Sequence, residues 1–240
     1  MDFRLDFFVL PVAALLITSP SLAQAGAQGQ STSTSASGNT TSSSAQHVRK
    51  AAPAADSRLD AGSVSKGEYR NPGFGFTCKI PAGWVLRTEE MNAREDGEPA
   101  PDVAKAQTVK TQRVLLAAFS RPPEARGEDV NSSIVIAAES AAAIPELKEA
   151  AQYFGLVSKA AEAQGFELDD DAYEFVIGTK TLVRGDFRKD IGTRVMRQST
   201  LVILARGYAV SFTFIGGTED EVEELIAGLS FGAGAKPHQP

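Results

Sequence analysis

Apolar and polar positions alternate most clearly late in the chain. Between Tyr208 and Ile215, the residues Tyr208, Val210, Phe212 and Phe214 share one side of an extended segment, the period-two pattern of a strand. Phe76, Cys78 and Ile80 alternate with Thr77 and Lys79 in the same way, and Pro81-Ala82-Gly83 turns the chain ahead of Trp84. Val114 to Phe119 and Ile134 to Ala138 are short apolar runs suited to buried strands. Tyr173 to Ile177, Thr181 to Ile191 and Val195 to Ala205 are further strand candidates, and Arg206-Gly207 joins the last of them to Tyr208. Residues 91–111 carry few apolar positions and read as a long surface loop.

Two segments follow the helical period instead. Pro145 opens the first, and Leu147, Ala151, Phe154, Val157 and Ala161 fall on one face before Gly165 stops it. The second is announced by Thr218-Glu219-Asp220-Glu221, a capping box, and carries Val222, Leu225, Ile226 and Leu229 as its apolar stripe. Phe231 closes the core. Hairpins, rather than alternating β-α units, predict an α+β fold with an antiparallel β-sheet covered by helices.

The first 65 residues look different. Phe7 to Ile17 is an apolar run far shorter than the ~20 residues that span a bilayer, and Ala23-Gln24-Ala25 offers the small-x-small pattern of a signal peptidase site. Residues 1–25 therefore read as a signal peptide cleaved after Ala25, although Arg4 stands between Asp2 and Asp6 in its leading part. The competing reading, a retained membrane anchor, is disfavoured by the short run. Residues 26–65 form a Ser/Thr-rich linker with too little apolar surface to offset chain entropy, expected to be disordered, as is the tail at 233–240. That leaves 66–232 as one globular domain. Cys78 stands alone, so no internal disulfide helps the fold.

Candidate chemistry is bounded mostly by exclusion. The two histidines, His47 and His238, fall in the linker and the tail. The domain thus lacks an imidazole for a Ser-His-Asp or Cys-His arrangement or for the common zinc site, and no cofactor is expected. Carboxylate pairs, lysine bases and Mg²⁺ or Ca²⁺ sites remain open. Asp169-Asp170-Asp171 lacks the spacing of a calcium loop and reads as a solvated turn. Cys78 shares a strand face with Phe76 and Ile80, the setting of a buried, inert thiol. The net charge of −6 argues against nucleic acid and an anionic membrane surface as partners.

That charge is unevenly spread. Between Lys180 and Arg206, seven basic residues face only Asp186 and Asp190, whereas 162–174 and 219–224 are acidic. Arg184, Asp186, Arg188 and Asp190 alternate with Val183, Gly185, Phe187 and Ile191, so they should line one exposed strand face. Arg184, Arg188, Arg194 and Arg197 are the candidate face for an acidic protein or envelope component. The competing reading is charge that protects a sheet edge.

Tyr69-Arg70-Asn71-Pro72-Gly73-Phe74-Gly75-Phe76, followed by Ile80-Pro81-Ala82-Gly83-Trp84, resembles the opening of the PsbP-like family. Arg206-Gly207-Tyr208 and Leu229-Ser230-Phe231 are similar to its closing strand and helix end. The family comprises extrinsic photosystem subunits, a Ran-binding relative and many bacterial exported proteins. The resemblance implies an α/β/α sandwich that binds or assembles without catalysis. No functional-site motif of the photosystem members is matched. The leading expectation is an exported, periplasmic or extracellular, non-catalytic binding or assembly module, released from the membrane once its signal is removed. Two alternatives stand beside it: a carboxylate-dependent hydrolase or lyase acting on an envelope substrate, and a carrier holding a small apolar ligand between sheet and helix.

Overall fold

A computed structural model describes residues 59–97, 112–125, 127 and 129–232. The expected signal peptide with its cleavage site after Ala25, the expected linker up to residue 58, both histidines and the expected tail at 233–240 lie outside the described residues.

The elements are β1 (Ser63–Ser65), β2 (Glu68–Asn71), β3 (Phe76–Lys79), β4 (Val85–Leu86), α1 (Thr88–Gly97), β5 (Gln112–Phe119) and β6 (Ser133–Ser140). There follow α2 (Ala150–Ala163), β7 (Glu167–Leu168), β8 (Tyr173–Ile177), β9 (Lys180–Ile191), β10 (Arg194–Ala205), β11 (Tyr208–Gly216), α3 (Glu219–Ala227) and β12 (Leu229–Phe231). One sheet has eight strands in the order β4-β5-β6-β11-β10-β9-β7, with β8 also paired to β9; the other runs β1-β2-β3-β12. Every pairing is antiparallel. The α+β expectation holds.

Strand alternation decides which face receives which cover. On one face of the large sheet, Ile134, Ile136, Leu201, Val210, Phe212 and Phe214 pack against Tyr69, Phe76, Cys78 and Phe231 of the small sheet and against Val222, Leu225 and Ile226 of α3. Phe76 meets Phe212 edge to face at 4.9 Å between ring centres. On the opposite face Phe187, Met196, Val202, Ala209 and Ile215 receive Tyr153, Phe154 and Ala161 of α2. Arg206 and Gly207, at φ 52 and 81, form the tight hairpin turn between β10 and β11, a conformation that suits the strand twist. The register of the small sheet joins distant chain ends: Leu229 pairs with Cys78 and Phe231 with Phe76.

Three expectations are corrected. Residues 91–97 belong to a helix rather than a loop: α1 docks through hydrogen bonds more than through an apolar stripe. Asn92 donates to Val114 O and accepts from Val114 N, both at 3.0 Å, and Thr88 Oγ1 accepts from Ala117 N. Pro145 does not open the first long helix, because Glu146 at φ 61 breaks the turn and α2 starts at Ala150. Gln152 Oε1 there accepts from Lys148 N and Glu149 N, the N–H groups left over at the helix start. The buried stripe shifts with it: Ala151 is exposed, while Tyr153 and Ser158 are buried. The packed structure also reaches ahead of the expected boundary at residue 66, to Leu59. Leu59 packs on the core, Tyr69 OH donates to Ala61 O, and Asn71 Nδ2 donates to Asp60 O at 2.8 Å.

Gly185 of β9 lies directly beneath the Phe154 ring of α2. A Cβ added there would lie 2.2 Å from Phe154 Cζ. Gly185→Ala is expected to cost about 1–3 kcal/mol in urea unfolding. Adding Phe154→Leu should recover part of the loss; a neutral Gly185→Ala would contradict this seat for α2. Burial supplies a second expectation. It pushes the Tyr69 phenol from 10.0 to about 12 and the Cys78 thiol from 9.0 to about 12. Both groups are raised in the folded state, so their contribution is complete below pH 9 and lost as pH rises towards 12. Unfolding midpoints should fall across that window, and Cys78→Ala and Tyr69→Phe should each make the decline shallower.

Candidate functional site

The expected basic strand face is folded into ion pairs. Arg184 on β9 is buried, with 6% of its side chain exposed. Its guanidinium pairs with Asp186 at 2.9 Å and with Glu223 of α3, donates to Ser199 Oγ, and lies 4.9 Å from the centre of the Phe175 ring. Burial works against its charge, but hydrogen bonds to Glu223 and Asp186 outweigh burial and raise its pKa. Arg188 is exposed and reaches Glu167 and Asp169, each at 3.5 Å. Arg197, opposite Arg188 in the register, pairs with Asp169 at 2.9 Å and Glu219 at 3.3 Å. Arg194 is exposed at the start of β10.

The separation into a basic face and acidic flanks is therefore corrected. Acidic residues of the 162–174 and 219–224 segments fold back onto the basic strands, and Asp169 bridges two of the arginines. Gly185 and Phe187 do face α2, as the alternation predicts.

The large sheet leaves a different feature on its α2 side. That helix rests on β9 and β10, and α1 lies along β5; among the described residues no helix sits over the face of β6 and β11 between them. This gap is a groove with a cavity of about 140 Å³. Its floor is Ser133, Val135 and Ala137 of β6 opposite Ile215, Thr213 and Ser211 of β11. Met91 of α1 and Phe119 form one wall; Val157, Ala160, Ala161 and Gln164 of α2 form the other, at helical spacing. Beyond Ala137, buried Glu139 accepts from Tyr153 OH at 3.1 Å. Burial, and then Glu139 itself, hold that phenol well above its ordinary range.

The chemistry of the lining is mild. Gln198 Nε2 donates to Thr200 Oγ1 at 3.2 Å, and Thr200 and Thr213 share a hydroxyl contact at 3.3 Å. The charged side chains of the lining are Arg87, Glu90 and Glu124. Arg87 holds Glu90 at 2.9 Å and Glu124 at 3.2 Å. Two buried polar atoms of the lining have no hydrogen-bond partner, Arg87 Nε and Gln112 Oε1. Among the described residues no His/Cys/Asp/Glu cluster suited to a metal ion occurs, and no helix is long and apolar enough to cross a membrane.

Sequence reasoning read β6 and β11 only for apolar periodicity and missed this site. The signal lay in side-chain size. Phe212 and Phe214 interleave with Ser211 and Thr213, and Ile134 and Ile136 with Ser133 and Val135.

The fold and groove define an α+β sandwich with an open, uncharged-floored cleft on one sheet face. No family model matches the chain, and no curated protein does. Solved structures do. It is similar to cyanobacterial PsbP (CyanoP) from Synechocystis at 16% identity over 71% of this chain and 96% of that one, with a TM-score of 0.39. It is similar to the Ran-binding protein Mog1p of Saccharomyces cerevisiae at 15% identity, 70% and 96% coverage and a TM-score of 0.38. A Bacteroides thetaiotaomicron structure matches at 16% identity over 72% of this chain, TM-score 0.35; this chain spans 50% of that protein's length. The family that the opening motif resembles is thus represented among the matched structures. At these scores the likeness carries nothing about ligand or partner.

The buried position of Arg184 separates it from its neighbours in a measurable way. Arg184→Met should lower unfolding free energy by about 2 kcal/mol, below the usual 3–5 for a buried pair because Glu223 is 53% exposed. Arg188→Gln should stay within about 0.5 kcal/mol. Equal effects in urea titrations would contradict the difference in burial.

Proposed function

We propose that the protein is an exported, non-catalytic binding protein that holds a small, largely apolar ligand in the groove between α1 and α2. One observation carries this reading. β6 and β11 are central strands that bury large side chains on one face, while on the other Ser133, Val135, Ala137, Ser211, Thr213 and Ile215 line a cavity of about 140 Å³. Interior surfaces are ordinarily filled to high density, so a cavity over a central strand pair is a candidate place for a ligand. Export rests on the apolar run at Phe7–Ile17 and the Ala23-Gln24-Ala25 site.

The placement of charge supports binding over catalysis. Glu90 and Glu124, the two carboxylates of the lining, are both engaged by Arg87. Docking of an acidic partner through Arg184, Arg188 and Arg197 receives less support, because Glu167, Asp169, Glu219 and Glu223 already offset those charges.

The uncharged dye Nile red tests the groove. It should bind the full mature chain saturably with a rise in fluorescence. Ala160→Phe, which fills the groove from the α2 wall, should weaken that binding at least tenfold while the urea midpoint stays close to that of the parent. Equal binding by Ala160→Phe would refute the site.

A further inference from the structure

We infer that the occupant of this groove is an uncharged amphiphile, an apolar body bearing a hydroxyl or amide, and that Gln112 recognises its donor hydrogen. The inference rests on the groove reading above and narrows it to a ligand class.

Charge comes first. The charged lining is one cation against two carboxylates, and an anionic head group finds that arginine already engaged twice. A cationic head group gains little, since Glu90 and Glu124 are 57% and 72% exposed and well screened by water.

The unsatisfied atoms come second. Gln112 Oε1 is a buried acceptor without a donor, at the end of β5 where Gln112 stands opposite Glu139. An amide oxygen in that position is completed by an O–H or N–H from a ligand. Arg87 Nε is a buried donor without an acceptor, and Arg87 N bonds Ala117 O, which places it five residues further along β5, about 17 Å away at ~3.4 Å per residue. A hydroxyl or amide both donates and accepts, so one uncharged group type suits either end. Between the ends lie Met91, Phe119, Val135 and Val157, which fit an apolar body.

Displacement of Nile red by 1-octanol, octanoate and n-octylammonium at neutral pH tests the class, because the three share one tail and differ in head group. 1-Octanol should displace the dye at a concentration at least tenfold lower than either ion. Gln112→Leu should weaken 1-octanol about tenfold and leave Nile red, which has no donor hydrogen, bound as before. If octanoate or n-octylammonium equals 1-octanol, the uncharged class is wrong while the groove stands, since displacement still occurs. If Gln112→Leu leaves 1-octanol unchanged, or weakens the dye equally, the role of Gln112 is wrong. Failure of all three octyl compounds overturns the ligand class, and the Ala160→Phe comparison then reports separately on the groove.

Discussion

A sheet of this breadth cannot be covered by one helix. Strands spaced ~4.8 Å apart make a seven-strand path roughly 29 Å wide, whereas a helix with its side chains is about 10–12 Å across. The protein answers differently on its two faces. One receives a second sheet together with α3, and there the large side chains of β6, β10 and β11 are buried. The other receives α2 over β9 and β10, and α1 at the β5 edge. Between the two helices the sheet lines a cavity, with Ser133, Ala137, Ser211 and Thr213 beside Val135 and Ile215. Gly185 lets α2 sit close over its own strands, which keeps it from sliding across the gap.

The parts of this arrangement that depend on neighbours in sequence were legible. Alternation located β3, β9 and β11, the Thr218 cap located α3, and Gly165 ended α2. What depends on distant partners was not. Arg184, Arg188 and Arg197 look alike along the chain, and only the return of Glu223, Asp169 and Glu219 decides which is buried and which is merely paired. Helix α1 escaped because Asn92 and Thr88 hold it to β5 with hydrogen bonds, so no apolar period announces it. The groove escaped for another reason. Periodicity records whether a residue is apolar, and the groove is written in how large it is.

The opening motif shows the same division. Tyr69 and Asn71 serve as framework: Asn71 Nδ2 donates to Tyr69 OH at 3.0 Å, and Asn71 Oδ1 accepts from Phe74 N at 2.9 Å. The same two side chains also hold Asp60 and Ala61 through hydrogen bonds to their carbonyl oxygens. The buried amide stitches two stretches of backbone that the hydrophobic core alone would leave free to slide.

The pairing of β12 with β3 has a consequence in time. Thr77 and Ser230 share a hydroxyl contact across 153 positions, and Phe231 reaches the same aromatic cluster as Phe76 and Phe212. The small sheet is therefore incomplete until the final strand of the domain is available. Contacts of such long range form late and slowly. A polypeptide built this way stays unfinished while it is being synthesised, and locks only when its last segment arrives.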